Sequence, residues 1–190
     1  MDTASRDRLK QIIIETGAFQ YSPQKPFKLA SGRESHVYFD MRLLCSDPEG
    51  LTLAATILHE MVRGVGARAV GGLEAGAIPI ATAVSLISHI RGGTTPAMAS
   101  FYVRKTPKEH GTRREIEGVA TSPAVILDDV VTSGGSALRA VRAVRAVGLE
   151  CAGVFCILFR GTNQDMDAME REGPFRWIFT QSDFVASDQV

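Results

Sequence analysis

The sequence predicts an α/β fold: a mostly parallel sheet flanked by helices. Three observations point there. Apolar runs alternate with amphipathic segments from residue 69 onward, the runs are apolar throughout instead of every second residue, and an Asp-Asp pair ends one run just before a glycine-rich helix start. Strands that are apolar on both faces and interleaved with helices belong to parallel sheets covered on both sides.

In chain order, a first helix is expected from about Arg6 to Thr16, capped by Ser5, with Leu9, Ile12 and Ile13 on one face. Short strands at Phe27 to Leu29 and Val37 to Met41 should flank a turn at Ser31-Gly32-Arg33. Ser46-Asp47-Pro48-Glu49 reads as the start of a helix running to about Arg63, with Ser46 as cap and Glu49 in capping-box position. Gly64 and Gly66 follow a helix and read as its C-terminal stop; a dinucleotide-binding turn would have to follow a strand.

The alternation then runs Ala69 to Leu73 (strand), Ile78 to Ile90 (helix), Met98 to Val103 and Ala124 to Leu127 (strands), Ser136 to Val147 (helix) and Ala152 to Phe159 (strand). Between the strands Met98 to Val103 and Ala124 to Leu127, 104–117 is crowded with Arg104, Lys105, Lys108, His110, Arg113 and Arg114 and has nothing to bury, so a flexible loop or hairpin is expected there. Asp165 and Asp167 fall in a polar segment expected to be a solvated helix.

Composition narrows the function classes. In 190 residues, 21 Lys and Arg balance 21 Asp and Glu, so no overall field draws the chain to nucleic acid or to an anionic membrane. The longest mostly apolar stretch, Ala77 to Ile87, falls short of the roughly 18 residues of a membrane span. The first ten residues, MDTASRDRLK, carry no apolar signal region. Cys45, Cys151 and Cys156 are odd in number and lack CxxC spacing, which argues against a disulfide framework or a zinc site and for a reducing cytoplasm. His36, His59 and His89 share no metal-ligand spacing. Cys151 and Cys156 read as core thiols.

The chemistry concentrates in Val125-Ile-Leu-Asp128-Asp129-Val130-Val131-Thr132-Ser133-Gly134-Gly135-Ser136-Ala137. A buried strand delivers two carboxylates at its C-terminal end, where open α/β sheets bind ligands. The helix N-terminus that follows can cradle a phosphate with backbone N–H groups, and Thr132 and Ser136 add hydroxyl donors. Two acids beside a phosphate suit ribose hydroxyls or a hydrated cation, since they would repel the phosphate itself.

This run resembles the 5-phosphoribosyl-1-pyrophosphate (PRPP) motif of type I phosphoribosyltransferases. Phe27-Lys-Leu-Ala-Ser31-Gly32-Arg33-Glu-Ser35-His-Val-Tyr38-Phe39-Asp40-Met-Arg42 is similar to the N-terminal signature of the orotate branch of that family, and Arg104-Lys105-x-x-Lys108-x-His110-Gly111 is similar to its catalytic loop. Gly71-Gly72-Leu73-Glu74-Ala75-Gly76 resembles the pyrophosphate-side loop, and Phe159-Arg160 the strand end that faces the base. The similarity runs from Phe19 to Phe184. It departs at Gly76 and Ala30, where some members carry Lys; at Glu74, an acid in the pyrophosphate-side loop needs a cation or a solvent-facing pose.

The resemblance implies a type I phosphoribosyltransferase fold, with a hood of 1–45 completed by 173–190 and a PRPP-binding core of 46–172 carrying the flexible loop 104–117. It implies transfer of the phosphoribosyl group from PRPP to orotate, giving orotidine 5'-monophosphate and pyrophosphate in pyrimidine synthesis. Arg104, Lys105, Lys108, His110, Asp128 and Asp129 would be catalytic. Thr132, Ser133, Gly134, Gly135, Ser136, Ala137 and Gly76 would bind PRPP, and Ser31, Gly32 and Arg160 orotate. Mg2+ would have no direct protein ligand and would sit through substrate and water near Asp128 and Asp129. The family loop reaches a neighbouring subunit, implying a cytoplasmic homodimer with shared sites. Two alternatives remain: transfer to another base, or a PRPP-binding regulator without turnover, against which the complete cationic loop argues.

Overall fold

A computed structural model of the chain describes residues 2–28, 34–91, 97–106 and 115–185. The elements, in order, are α1 (Thr3–Glu15), β1 (Phe19–Tyr21), β2 (Phe27–Lys28), β3 (Glu34–Ser35), β4 (Val37–Phe39), α2 (Met41–Ser46), α3 (Pro48–Arg63), β5 (Ala69–Leu73) and α4 (Ala77–Ile90). There follow β6 (Ala99–Val103), β7 (Ile116–Gly118), β8 (Ala124–Val131), α5 (Gly135–Ala146), β9 (Cys151–Phe159), α6 (Asn163–Glu170), β10 (Phe175–Thr180) and a 3-10 turn, Gln181–Asp183.

Among the described residues, six strands form the central sheet in the order β10-β9-β8-β5-β6-β7, all parallel except β7, which runs antiparallel to β6. Alternation along β8 sends Val125 and Leu127 into the core layer of α1, α3 and α4, and Ile126 into the layer of α5 and α6. Both faces are thus covered, as the uniformly apolar runs require. The chain leaves β5 through α4 to reach β6 on one side and leaves β8 through α5 to reach β9 on the other. The crevice at the C-terminal ends of β5 and β8 is therefore a topological switch point, the place where such sheets bind ligands.

Several boundaries differ from expectation for identifiable reasons. Helix α1 starts at Thr3 because Asp2, not Ser5, is its cap: the Asp2 carboxylate accepts from the backbone N–H of Ala4 and Ser5, and the Ser5 hydroxyl also donates to it at 2.8 Å. Strand β4 ends at Phe39, because Asp40 caps the short helix α2 by accepting from Arg42 N–H at 3.1 Å. Ser46 closes α2, its hydroxyl donating to Arg42 O, and Asp47 caps α3 by accepting from Gly50 N–H at 2.7 Å. Glu49 is consequently not a capping-box partner; both its oxygens accept from Arg8, at 2.8 and 2.7 Å, tying α3 to α1. Strand β8 runs four residues past Leu127, since its ladder to β9 continues through Val130 opposite Leu158 and Val131 opposite Phe159. Helix α5 begins at Gly135, with Gly134 as cap.

The turn at Ser31-Gly32-Arg33 lies outside the described residues, as does 107–114 of the cationic segment. What is described on either side of 107–114 is the antiparallel pair β6 and β7. Strand β10 is the outer parallel strand beside β9, and Phe184 after it packs on Phe19 and Phe39, with ring centroids 5.3 Å apart in both cases. Asp165 forms a reciprocal cap with Thr162 at the start of α6, and Cys151 and Cys156 are buried. No helix among the described residues is long and apolar enough to cross a membrane.

Candidate active site

A cavity of about 420 Å³ opens at the switch point. Its floor is the end of β8, with Asp128 and Asp129; one wall is the turn after β5, Glu74-Ala75-Gly76; the other is the Tyr38 to Arg42 segment, and Lys105 and Ser136 complete it. A second cavity of about 230 Å³ adjoins it, lined by Asp128, Thr132, Ser133, Gly134, Gly135 and Ser136. Asp128 and Ser136 are shared by both.

The second cavity is built for an anion. The first-turn N–H groups of α5 have no partner within the helix, and no acidic side chain stands in that turn. Gly134 holds the turn open with φ +76, a conformation that side chains disfavour. A Cβ there would also lie 2.5 Å from Met169 Cε, so the buried Met169 of α6 packs directly beneath the turn. Ala137 is buried and lies outside the linings of both cavities.

The first cavity carries the charge. Asp128 is buried, and burial, followed by repulsion from Asp129, holds its carboxyl well above the ordinary carboxylate range. Its Oδ1 accepts from Asp129 N–H at 3.1 Å, and Asp129 Oδ1 accepts from Val130 N–H at 2.9 Å. Asp129 leans against the turn after β5: a Cβ on Gly76 would stand 2.6 Å from its Oδ1. Glycine at 76 is therefore what lets this carboxylate occupy the space. Carboxylate oxygens at a half-open cavity fit a hard divalent ion held through water and substrate oxygens.

Among the described residues, no cationic side chain forms a salt bridge with Glu74. Its Oε1 accepts from Lys105 N–H at 2.6 Å, and its own N–H donates to Val103 O at 2.8 Å, so the turn after β5 is bonded to the start of the cationic segment. Arg104 N–H donates to Glu115 O at 2.9 Å, and Arg139 of α5 donates to Arg104 O and to Glu115, both at 3.3 Å. The Arg104 side chain bonds Thr106 O at 3.2 Å and lies 4.0 Å from Glu117, outside the cavity lining that Lys105 joins.

Arg160 stands just beyond β9, its N–H bonded to Val131 O at 2.8 Å. Its guanidinium lies 5.1 Å over the Phe39 ring, which lines the larger cavity, and its Nε donates to Gln181 Oε1 at 2.9 Å. Ser31, Gly32, Lys108 and His110 lie outside the described residues. The structure thus brings Lys105, Asp128, Asp129, Gly76 and the turn 132–136 to adjoining cavities, with Arg160 behind Phe39.

Sequence reasoning gave no role to Arg42, Asp40 or Gln181. Arg42 lines the cavity and is held in a two-point pair with Asp40, at 2.7 Å for each contact, and this bond keeps the Asp40 carboxyl below its ordinary range. Opposite charges two residues apart just after a strand were the available signal. Gln181 offered none, because its partner is distant in sequence.

A phosphate turn and an acid pair at the switch point of such a sheet define a phosphoribosyl-transferring class of protein, and the family model for the phosphoribosyl transferase domain matches residues 43–181. The chain is 42% identical over 164 residues to the orotate phosphoribosyltransferase of Bradyrhizobium sp. (strain ORS 278), covering 83% of this chain and 85% of that one. It is 37% identical to that of Aquifex aeolicus (strain VF5), covering 95% and 97%. The crystal structure of the Mycobacterium tuberculosis H37Rv orotate phosphoribosyltransferase superposes with a TM-score of 0.77 at 30% identity, covering 94% of this chain and 98% of that one. The chain belongs to the orotate phosphoribosyltransferase family.

Proposed function

We propose that the chain transfers the 5-phosphoribosyl group of PRPP to orotate, yielding orotidine 5'-monophosphate and pyrophosphate in de novo pyrimidine synthesis. The observation that carries this is the adjoining pair of cavities, one an anion cradle and the other an acidic and cationic crevice, sharing Asp128 and Ser136. The 5'-phosphate sits on the N–H groups of Gly134 to Ala137, with the Thr132, Ser133 and Ser136 hydroxyls around it. Asp128 and Asp129 then face the ribose hydroxyls. Pyrophosphate lies toward Gly76 and Lys105.

Bond making joins the orotate ring nitrogen to the ribose C1 as that nitrogen gives up its proton to water, while the C1–O bond to pyrophosphate breaks and its electron pair leaves with pyrophosphate. The chain's part is to hold the two substrates in line and to meet the departing charge with cations, Lys105 first, joined by Arg104, Lys108 and His110. Mg2+, when bound through water and substrate oxygens near Asp128 and Asp129, offsets charge on the pyrophosphate. The proposal includes a hood of 1–45 with 173–190 over a core of 46–172, a cytoplasmic setting, and a homodimer whose partner loop completes each site. A strictly monomeric and fully active protein would overturn the last.

Arg160, with Ser31 and Gly32, is assigned to the orotate carboxylate, for which a planar guanidinium is suited. Arg160→Ala should raise KM for orotate at least about tenfold, a loss of ~1.4 kcal/mol, and leave KM for PRPP nearly unchanged in steady-state assays. Equal damage to both substrates would contradict the assignment.

A further inference from the structure

We propose that Gln181 is a positioning residue for Arg160, and that its being a neutral amide makes the pocket selective for an anionic ring substituent. The inference rests on the assignment of Arg160 to the orotate carboxylate and extends it to a residue outside the cavity lining.

An arginine side chain has many rotamers, and a two-point contact with a carboxylate needs the guanidinium plane fixed beforehand. Among the described residues, two contacts restrain it. The Phe39 ring supports one face, and that ring is itself held by Phe19 and Phe184 at centroid distances of 5.2 and 5.3 Å. The bond from Nε to Gln181 Oε1, at 2.9 Å, restrains the rotation of the plane.

Gln181 is held as firmly as the group it holds. Thr180 pairs with Phe159 across β10 and β9, so the residues that follow, Gln181 and Arg160, lie abreast. The 3-10 turn that carries Gln181 is closed by Asp183, which accepts from Thr180 N–H at 2.7 Å and from Arg6 at 2.6 Å. Gln181 O accepts from Phe184 N–H at 3.0 Å. The C-terminal turn and the start of α1 thus fix the backbone from which this amide projects.

The chemistry of that amide matters. A glutamine oxygen orients Arg160 without cancelling its charge, whereas a carboxylate at 181 would neutralise the guanidinium and compete with the carboxylate of the substrate.

The test is steady-state kinetics of Gln181→Ala and Gln181→Glu, alone and combined with Arg160→Ala, with thermal melting to confirm folding. Gln181→Ala should raise KM for orotate roughly three- to tenfold, in line with one hydrogen bond, and Gln181→Glu should raise it further although it is nearly isosteric. KM for PRPP should move little in either. In the Arg160→Ala background neither change should add to the defect. A Gln181→Glu protein with wild-type KM for orotate, or equal losses for both substrates, would overturn the positioning role while leaving the Arg160 assignment standing. An Arg160→Ala protein with wild-type KM for orotate would overturn both.

Discussion

Asp128 shows how one residue can serve the site at a cost to the fold. Its carboxyl is raised by burial and by Asp129, so the folded chain binds that proton more tightly than the unfolded chain does. Stability from this group is therefore greatest below the ordinary carboxylate range and falls as pH rises toward the elevated folded value. Asp128→Asn removes the charge and keeps the shape. It should raise Tm at pH 8, by roughly 2–4 °C for each kcal/mol relieved, with the gain shrinking toward pH 4, while turnover collapses. A Tm difference that does not depend on pH would contradict the account. Gly76 belongs to the same balance: the space where some relatives carry Lys is taken by the Asp129 carboxylate, so this departure in sequence has a steric reason. That reason was not legible beforehand, since it links residues 53 positions apart.

At the scale of elements, what was legible depended on whether the signal was local. Strand β5 matches its apolar run residue for residue, because Arg68 and Glu74 bound it sharply. Strand β8 was read short, because two aspartates end the apolar run while the ladder to β9 continues. Helix starts were misplaced where two capping residues lie close together, as Asp2 with Ser5 and Ser46 with Asp47; in both cases the aspartate is the side chain that accepts from first-turn N–H groups. The bond between the turn after β5 and the start of the cationic segment was also invisible, and it yields a prediction. Glu74→Ala removes the acceptor that fixes Lys105 N–H and should lower kcat/KM for PRPP roughly three- to tenfold with KM for orotate little changed. Glu74→Gln keeps an acceptor and should recover most of the loss. Failure of Gln to recover activity, measured with both substrates varied, would mean that the charge of Glu74 matters and not its bond.

Over the whole molecule, the sheet order, the two helical layers and the crevice between β5 and β8 follow from one rhythm in the sequence, and the phosphate turn and acid pair were readable because they are contiguous. Phe184 on Phe39 and Asp183 with Arg6 join the two ends of the chain, Gln181 reaches Arg160 across 21 positions, and none of these contacts carries a local signal. The central claim concerns what this assembled crevice transfers to. It is tested most directly by incubating the protein with PRPP and Mg2+ and, in parallel, orotate, uracil, adenine, hypoxanthine or xanthine, and following loss of base and release of pyrophosphate. The account predicts stoichiometric conversion of orotate to orotidine 5'-monophosphate, with the other bases slower by at least about tenfold, the factor tied to the ring carboxylate. Turnover of a purine or of uracil at the rate of orotate, or PRPP binding with no turnover of any base, would contradict it.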